Sequence, residues 1–193
     1  MTKTARTGRK TWSRELILDA AFRIVDASDT QALTMSRLGR ELDADPSALY
    51  RHFRNKDELL RAMGDAVYAE VAEGFEPSED PIENLRRMAW LTRIVFLKRP
   101  VLASAVAARF TGGPAEADIG ETMVASLEQL GFDRAAANRH SRALGELYFG
   151  HILITAAILQ LTAEQRAIEM EIADRYPARL GRQKNVLSHE EQI

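Results

Sequence analysis

The residues whose types could do chemistry are gathered in one stretch, Leu33 to Leu60, LTMSRLGRELDADPSALYRHFRNKDELL. Ser47, Ala48, Tyr50, Arg51 and His52 fall together on a segment too short to be helical by itself. Ser47 and Ala48 are small enough to approach base edges, where a hydroxyl donates or accepts and a methyl touches thymine. Tyr50, Arg51 and His52 have the reach and the donors for phosphate oxygens. Lys56 stands in the first turn of the next helix, beside backbone N–H groups that favour an anion. This is chemistry of recognition rather than of bond cleavage. The same residues also fit an ordinary helical hairpin with a solvated polar face.

The elements that must position these groups are marked by local signals. Thr34 caps a helix starting at Met35, with Leu33 and Leu38 at the spacing of a hydrophobic staple. That helix ends near Leu42, where Asp43 tolerates the left-handed conformation of a helix stop. Asp45 caps the next helix and Pro46 occupies its first position, where a missing N–H is harmless. Asn55 opens a third helix, with Glu58 placed to bond back to the cap. Two helices joined by a three-residue turn make a helix-turn-helix, the second helix offered to the major groove. Leu49 and Phe53, four apart, predict packing on Leu38 and Leu42. Residues 47, 48 and 50–52 are then left on or beside the outer face.

Leu-Thr-Met-x-x-Leu-x-x-Glu-Leu at 33–42, Leu-Tyr-Arg-His-Phe at 49–53 and Asn-Lys-Asp-Glu-Leu-Leu at 55–60 resemble the DNA-binding region of TetR-type transcriptional regulators. The resemblance is specific over about Trp12 to Val71; beyond that it is one of size and helical layout. It implies a homodimer in which each subunit carries a three-helix headpiece and a larger helical domain that binds a small ligand. It also implies that Ser36, Arg37, Pro46, Ser47, Ala48, Tyr50, His52 and Lys56 face a double-stranded DNA operator. Thr34 and Arg51 join the DNA-binding candidates. Two positions depart from the pattern: Asp43 stands where a glycine is usual, and Asp45 sets a carboxylate near the phosphates.

Charge is distributed accordingly. Residues 1–14 carry Lys3, Arg6, Arg9, Lys10 and Arg14 and no acid. Such a run fits a solvated tail, or an arm in which Arg6, Arg9 and Lys10 follow a DNA groove. Residues 1–60 hold eleven basic and nine acidic side chains, net +2, and the remainder fifteen and nineteen, net −4. The overall charge of −2 therefore does not count against a nucleic-acid binder, whose binding face alone must be positive. With no cysteine in 193 residues there is no disulfide framework and no thiolate chemistry. No apolar signal-peptide core opens the chain, and no continuous apolar run is long enough to span a bilayer, Ile152 to Leu161 being too short. The expectation is a cytoplasmic protein with no membrane partner.

Past Lys56 the pattern reads as helix almost throughout, and strand signals are absent: the fold class is all-α, a helix-turn-helix headpiece plus a larger C-terminal helical domain for ligand binding and dimerisation. The expected domains are a basic arm at 1–14, the headpiece at 15–60, the helical domain at 61–177 and a polar tail at 178–193. Expected helices run over 56–73, 81–98, 100–109, 114–130, 133–160 and from Thr162 to about Tyr176, with a linker at 74–80. The 133–160 helix is apolar or small nearly all round, which predicts burial on most sides. One face would pack within the subunit and another on a symmetry mate, with Ala143, Gly145 and Gly150 permitting close approach; a central helix of a monomeric bundle is the alternative.

Candidates for an effector pocket are Trp90, Phe96, Phe110, Met123, Leu127 and Tyr148, which otherwise are plain core. His140 and His151, eleven residues and three turns apart, would point the same way, toward a ligand, a dimer seam or the core. No metal is expected, because neither histidine has a second ligand three or four residues away. No cofactor motif is present either. The tetracycline-sensing branch of the family holds a magnesium complex with a histidine, and residues 101–113 contain none. An enzyme is the competing class, but there is no phosphate loop, no Gly-x-Ser-x-Gly elbow and no metal-spaced His/Glu pair. A partner-binding helical bundle is the third. The reading that absorbs most residues is a ligand-responsive regulator, a repressor that binds a palindromic operator as a dimer and is released by a small, mainly apolar effector.

Overall fold

The computed structural model describes residues 12–28, 30–107 and 109–175, and these are helical with no strand among them. Residues 1–11 of the expected basic arm and the polar tail lie outside the described residues, whereas Arg14, the last residue of that arm, begins a helix. The chain divides into two compact units, Met1–Met63 and Gly64–Ile193.

The first unit holds α1 (Arg14–Ala27), α2 (Met35–Leu42), α3 (Pro46–Leu49) and the first two turns of α4 (Lys56–Gly74). Ser13 starts α1, its hydroxyl accepting from the Leu16 N–H, and the helix buries Ile17, Ala20, Ala21, Ile24 and Val25. Thr34 caps α2 through the Arg37 N–H, and Leu33 and Leu38 are both fully buried, as the staple requires. Asp43 ends α2 at φ 52° and ψ 46°, so the left-handed stop falls on a residue with a Cβ. The turn that follows is tight. A Cβ at Gly39 would sit 3.0 Å from the Ala44 carbonyl oxygen and 3.5 Å from the Pro46 ring, so a larger residue there would have to push the turn back by a few tenths of an ångström.

Asp45 caps α3 by accepting from the Ser47 N–H at 2.8 Å. This helix is one turn long; beyond it the chain continues as a tighter turn, the His52 and Phe53 N–H groups both donating to the Leu49 carbonyl. Leu49 and Phe53 are nonetheless fully buried. Asn55 caps α4 through the Glu58 N–H, but the Glu58 carboxylate does not return to the cap residue. It accepts instead from the Arg54 N–H at 2.8 Å and pairs with the Arg54 guanidinium at 3.4 Å, because two favourable contacts lie one residue further back.

The second unit holds the rest of α4 with α5 (Pro81–Leu97), α6 (Pro100–Val106), α7 (Pro114–Gln129), α8 (Arg134–Leu159) and α9 (Ala163–Arg175). Asp80 and Asp133 cap α5 and α8, and Thr162 and Gln165 form a reciprocal capping box at α9. The core lies where α5, α6, α7 and α8 meet, with Met88, Phe96, Leu102, Val106, Leu127 and Ile152 buried. Helix α6 stops three residues short of the expected end. The Arg109 guanidinium takes the Ala105 carbonyl, the acceptor that another α-helical bond would need, and the Arg109 N–H turns to Val106.

Helix α8 bears on two expectations. It is long and apolar enough to cross a membrane by length and composition, although its apolar residues do not form one continuous run. Within one chain it is also mostly open, burying only Ala137, Ile152, Thr155 and Ala156, while Leu147 is 73% exposed. Apolarity all round did not translate into burial all round, because α5, α6 and α7 cover a single side.

Candidate nucleic-acid interface and ligand cavity

The interface is built on a buried base. Leu38, Leu49 and Phe53 are each fully buried, and they orient α3 so that Pro46, Ser47 and Tyr50 are exposed, Tyr50 to 50%. Arg51 is exposed beside them, and Ala48 and His52 are partly covered. On α2, Ser36 is exposed, whereas the Arg37 guanidinium donates to the Ser28 hydroxyl at 3.2 Å and the Thr34 hydroxyl is engaged in its cap. Lys56 stands in the first turn of α4, as expected, with its ammonium on the Thr30 carbonyl. An ammonium so close to a backbone acceptor exchanges water for a fixed partner. Arg6, Arg9 and Lys10 lie outside the described residues.

One residue of this surface was missed in the sequence. Arg14, on the first turn of α1, donates from Nη1 to the His52 carbonyl at 2.9 Å and lies 4.2 Å over the Phe53 ring. The same nitrogen is 4.0 Å from the Glu58 carboxylate. Arg14 thus ties the end of the recognition segment to α1 and to α4. Its basic charge was visible among residues 1–14, but nothing local to it marks a contact 38 residues away.

The second unit contains a cavity of about 790 Å³, the scale of a small-molecule site. Phe110, Met123 and Tyr148 line it, as expected of them. The other candidates do not. Trp90 is 60% exposed elsewhere on α5, while Phe96 and Leu127 are core, one against Tyr68 and Phe149 and the other with Val124 and Ala137. His140 and His151 are exposed, and neither lines the cavity. The His140 ring rests on Phe132 with centroids 4.8 Å apart. His151 accepts from the Arg93 guanidinium at 3.4 Å; partial burial, then that positive neighbour, holds its imidazole below the ordinary value. Among the described residues no three His, Asp or Glu side chains converge as a metal site.

The strongest wall residue was also missed. Tyr68 of α4 is 8% exposed and lines the cavity, its ring packed edge-on against Phe96 and Phe149. Burial first, then the nearby Glu116 and Asp65 carboxylates, pushes its phenol far above the ordinary value, so it stays a neutral hydroxyl. Sequence pattern could only place Tyr68 on the apolar face of α4, where core and pocket read alike. Asp65 and Glu116 close the adjoining loop. Asp65 accepts from the Glu116 N–H at 3.0 Å, and Glu116 from the Thr111 and Gly112 N–H groups at 2.8 and 3.1 Å. A Cβ at Gly113 would fall 2.1 to 2.3 Å from the Asp65 carboxylate, so any side chain there would have to displace that carboxylate from its bonds.

An all-helical chain with a helix-turn-helix on a buried base and a separate ligand-sized cavity is a sensor-type DNA-binding protein in layout. Residues 17–63 match the model of bacterial regulatory proteins of the tetR family. An HTH-type transcriptional regulator of Saccharopolyspora erythraea is 27% identical over 140 residues, 72% of this chain and 59% of that protein. Among solved structures, the Streptomyces coelicolor TetR family protein ActR in complex with (S)-DNPA has a TM-score of 0.71 and 27% identity, over 81% of this chain and 83% of ActR. BioQ with its double-stranded DNA operator has a TM-score of 0.70 and 26% identity, over 83% of this chain and 96% of BioQ. The chain is therefore similar to TetR-family regulators, in its helix-turn-helix by the family model and over most of its length by fold. It spans about half the length of the curated relatives it matches.

Proposed function

We propose that this chain is a cytoplasmic transcriptional repressor that binds a palindromic operator as a homodimer and is released by a small, mainly apolar effector. The observation that carries the reading is the exposure of Ser47, Tyr50 and Arg51 on a one-turn helix and the turn that continues it, fixed from beneath by Leu49 and Phe53. Ser47 and Ala48 read base edges, while Tyr50, Arg51 and Ser36 hold phosphates. A helix of four residues binds weakly alone, and two copies about 34–36 Å apart on one face of the duplex supply the affinity. The open apolar face of α8 supports pairing, since a second copy would cover Leu147 and Ile154. The cavity supports an effector, and the operator and ligand in the BioQ and ActR structures support both partners.

Release is a matter of differential affinity. An effector in the cavity touches Tyr68 on α4, the helix whose first turns belong to the first unit. If the bound state favours a different α4 placement, about 1–3 kcal/mol of coupling separates the operator-fitting and non-fitting arrangements.

The test is a titration of the chain against duplexes selected from a random pool, at two salt concentrations. A dimer making six to ten phosphate contacts loses about 10³- to 10⁵-fold in affinity between 50 and 200 mM salt. Tyr50→Ala should weaken binding severalfold with dimer and helicity intact. Salt-independent binding, or no selected duplex, excludes the reading.

A further inference from the structure

The cavity contains two phenol groups with no hydrogen-bond partner among the described residues. Tyr68 is more than nine-tenths buried, yet every fully enclosed side-chain nitrogen or oxygen in the described residues is bonded. Its unpaired hydroxyl is therefore open to the cavity it lines. The ring has no freedom to turn it elsewhere: its centroid is 5.1 Å from that of Phe96 and 6.1 Å from that of Phe149, both edge-on. Tyr148 lines the same space, half-buried and likewise unbonded. A phenol on a mostly apolar wall is a directional partner for a guest's oxygen, which would take the hydrogen bond that water otherwise makes.

The rest of the wall settles which oxygen. Phe110, Phe149 and Met123 contribute two aromatic rings and a thioether to the lining, groups that favour a ring-bearing guest. The charges beside Tyr68 are negative. Glu116 and Asp65 spend their lone pairs on the loop at Thr111 and on the start of α7, so they impose a negative field without offering themselves as ligands. The two guanidinium groups of the lining are already engaged, Arg142 with Glu146 at 3.0 Å and Arg109 with the Ala105 carbonyl. A carboxylate directed at Tyr68 would meet the two carboxylates whose charges act on that phenol.

We propose that the cavity takes a neutral, ring-bearing molecule whose carbonyl or hydroxyl oxygen bonds to Tyr68, and that it rejects a carboxylate in that position. This rests on the effector reading above and names the chemistry of that effector. Selectivity here comes from what the wall repels as much as from what it holds.

Calorimetric titration of the full chain at neutral pH with three probes sharing one bicyclic ring tests it: 1-acetonaphthone, 1-naphthoate and 1-ethylnaphthalene. The ketone should bind at least about tenfold tighter than the carboxylate, because like charges face each other in the second case. Tyr68→Phe should lower the ketone's affinity about three- to tenfold, the worth of one hydrogen bond, and leave ethylnaphthalene unchanged. Naphthoate binding as tightly as the ketone, an equal loss for all three probes in Tyr68→Phe, or binding of none of them overturns the proposal. The wild-type ketone-to-carboxylate ratio decides the matter even if the variant folds poorly. The salt titration against DNA, run without probe on the same preparation, keeps the two readings separate. Ketone preference without DNA binding sinks the regulator and leaves the ligand chemistry standing, and the converse result does the reverse.

Discussion

Replacing Arg14 by methionine removes the tie between α1 and the recognition segment while keeping most of the apolar stem. Three contacts are lost: the 2.9 Å bond to the His52 carbonyl, the cation over the Phe53 ring at 4.2 Å, and the 4.0 Å approach to Glu58. A hydrogen bond from a charged group contributes about 1.5–3 kcal/mol when sheltered, but Arg14 is half exposed, which lowers that to about 1 kcal/mol. The exposed cation–π contact adds about 0.5 kcal/mol, and the Glu58 pair adds little at that distance. The sum is about 1–2 kcal/mol, or roughly a 5- to 30-fold shift in the local opening equilibrium. Hydrogen exchange of the His52 and Phe53 amides, both bonded to the Leu49 carbonyl, reads this directly. Their protection should fall by that factor while amides of α7 and α8 keep theirs, and duplex affinity should fall with it. Unchanged protection at 52 and 53 would show that Leu49 and Phe53 hold the segment unaided, and the clasp would be incidental.

Asp43→Gly should stabilise the first unit by about 0.5–1 kcal/mol in urea unfolding, since φ 52° strains a residue with a Cβ and glycine's greater unfolded freedom offsets only part of the relief. Gly113→Ala should destabilise the second unit by about 2 kcal/mol or more, because the new methyl displaces the Asp65 carboxylate from the Glu116 N–H; a neutral result would mean the loop closes without Asp65. For Asp45, the Ser47 hydroxyl and N–H hold the folded carboxyl below its ordinary range. That contribution is present above the unfolded value and is lost as pH falls through the folded one, so acid should loosen α3. Asp45→Asn should flatten that pH dependence in amide exchange of residues 47–49.

Caps and staples were legible because they are local. Thr34, Asp45 and Asn55 each act within three residues, and each accepts the N–H its spacing implies, although Glu58 does not return the bond at Asn55. The burial of Leu49 and Phe53 was legible for the same reason, even though Phe53 arrives by a turn rather than by α-helix. What the pattern could not carry were contacts set by tertiary approach. Lys56 meets the Thr30 carbonyl 26 residues back, and Arg14 meets His52 38 residues on. The cavity shows the limit most clearly. Trp90 and Tyr68 are both aromatics on amphipathic helices, and only the packing of α5, α7 and α8 decides that one faces outward and the other lines the wall. Arg109 ending α6 early is of the same kind, a side chain outcompeting the backbone for one carbonyl.

Helix α8 brings these strands together, since its composition fits three environments and one chain satisfies none of them fully. As a core helix it would be enclosed, yet Leu147 and Ile154 stand open. As a membrane span it would set Glu146 in hydrocarbon, at a cost of about 2.5–3.5 kcal/mol for a charge at the bilayer centre. It would also have to leave α5, α6 and α7, on which Ile152 and Ala156 are fully buried. A helix seated on its own subunit along one side, with Leu147 and Ile154 exposed on the other, fits the proposed subunit interface. A second copy related by a twofold axis would bring the same apolar residues face to face, burying them without introducing any new sequence. That requirement and the need for two recognition helices on one duplex arise from different ends of the chain, and the proposed dimer answers both.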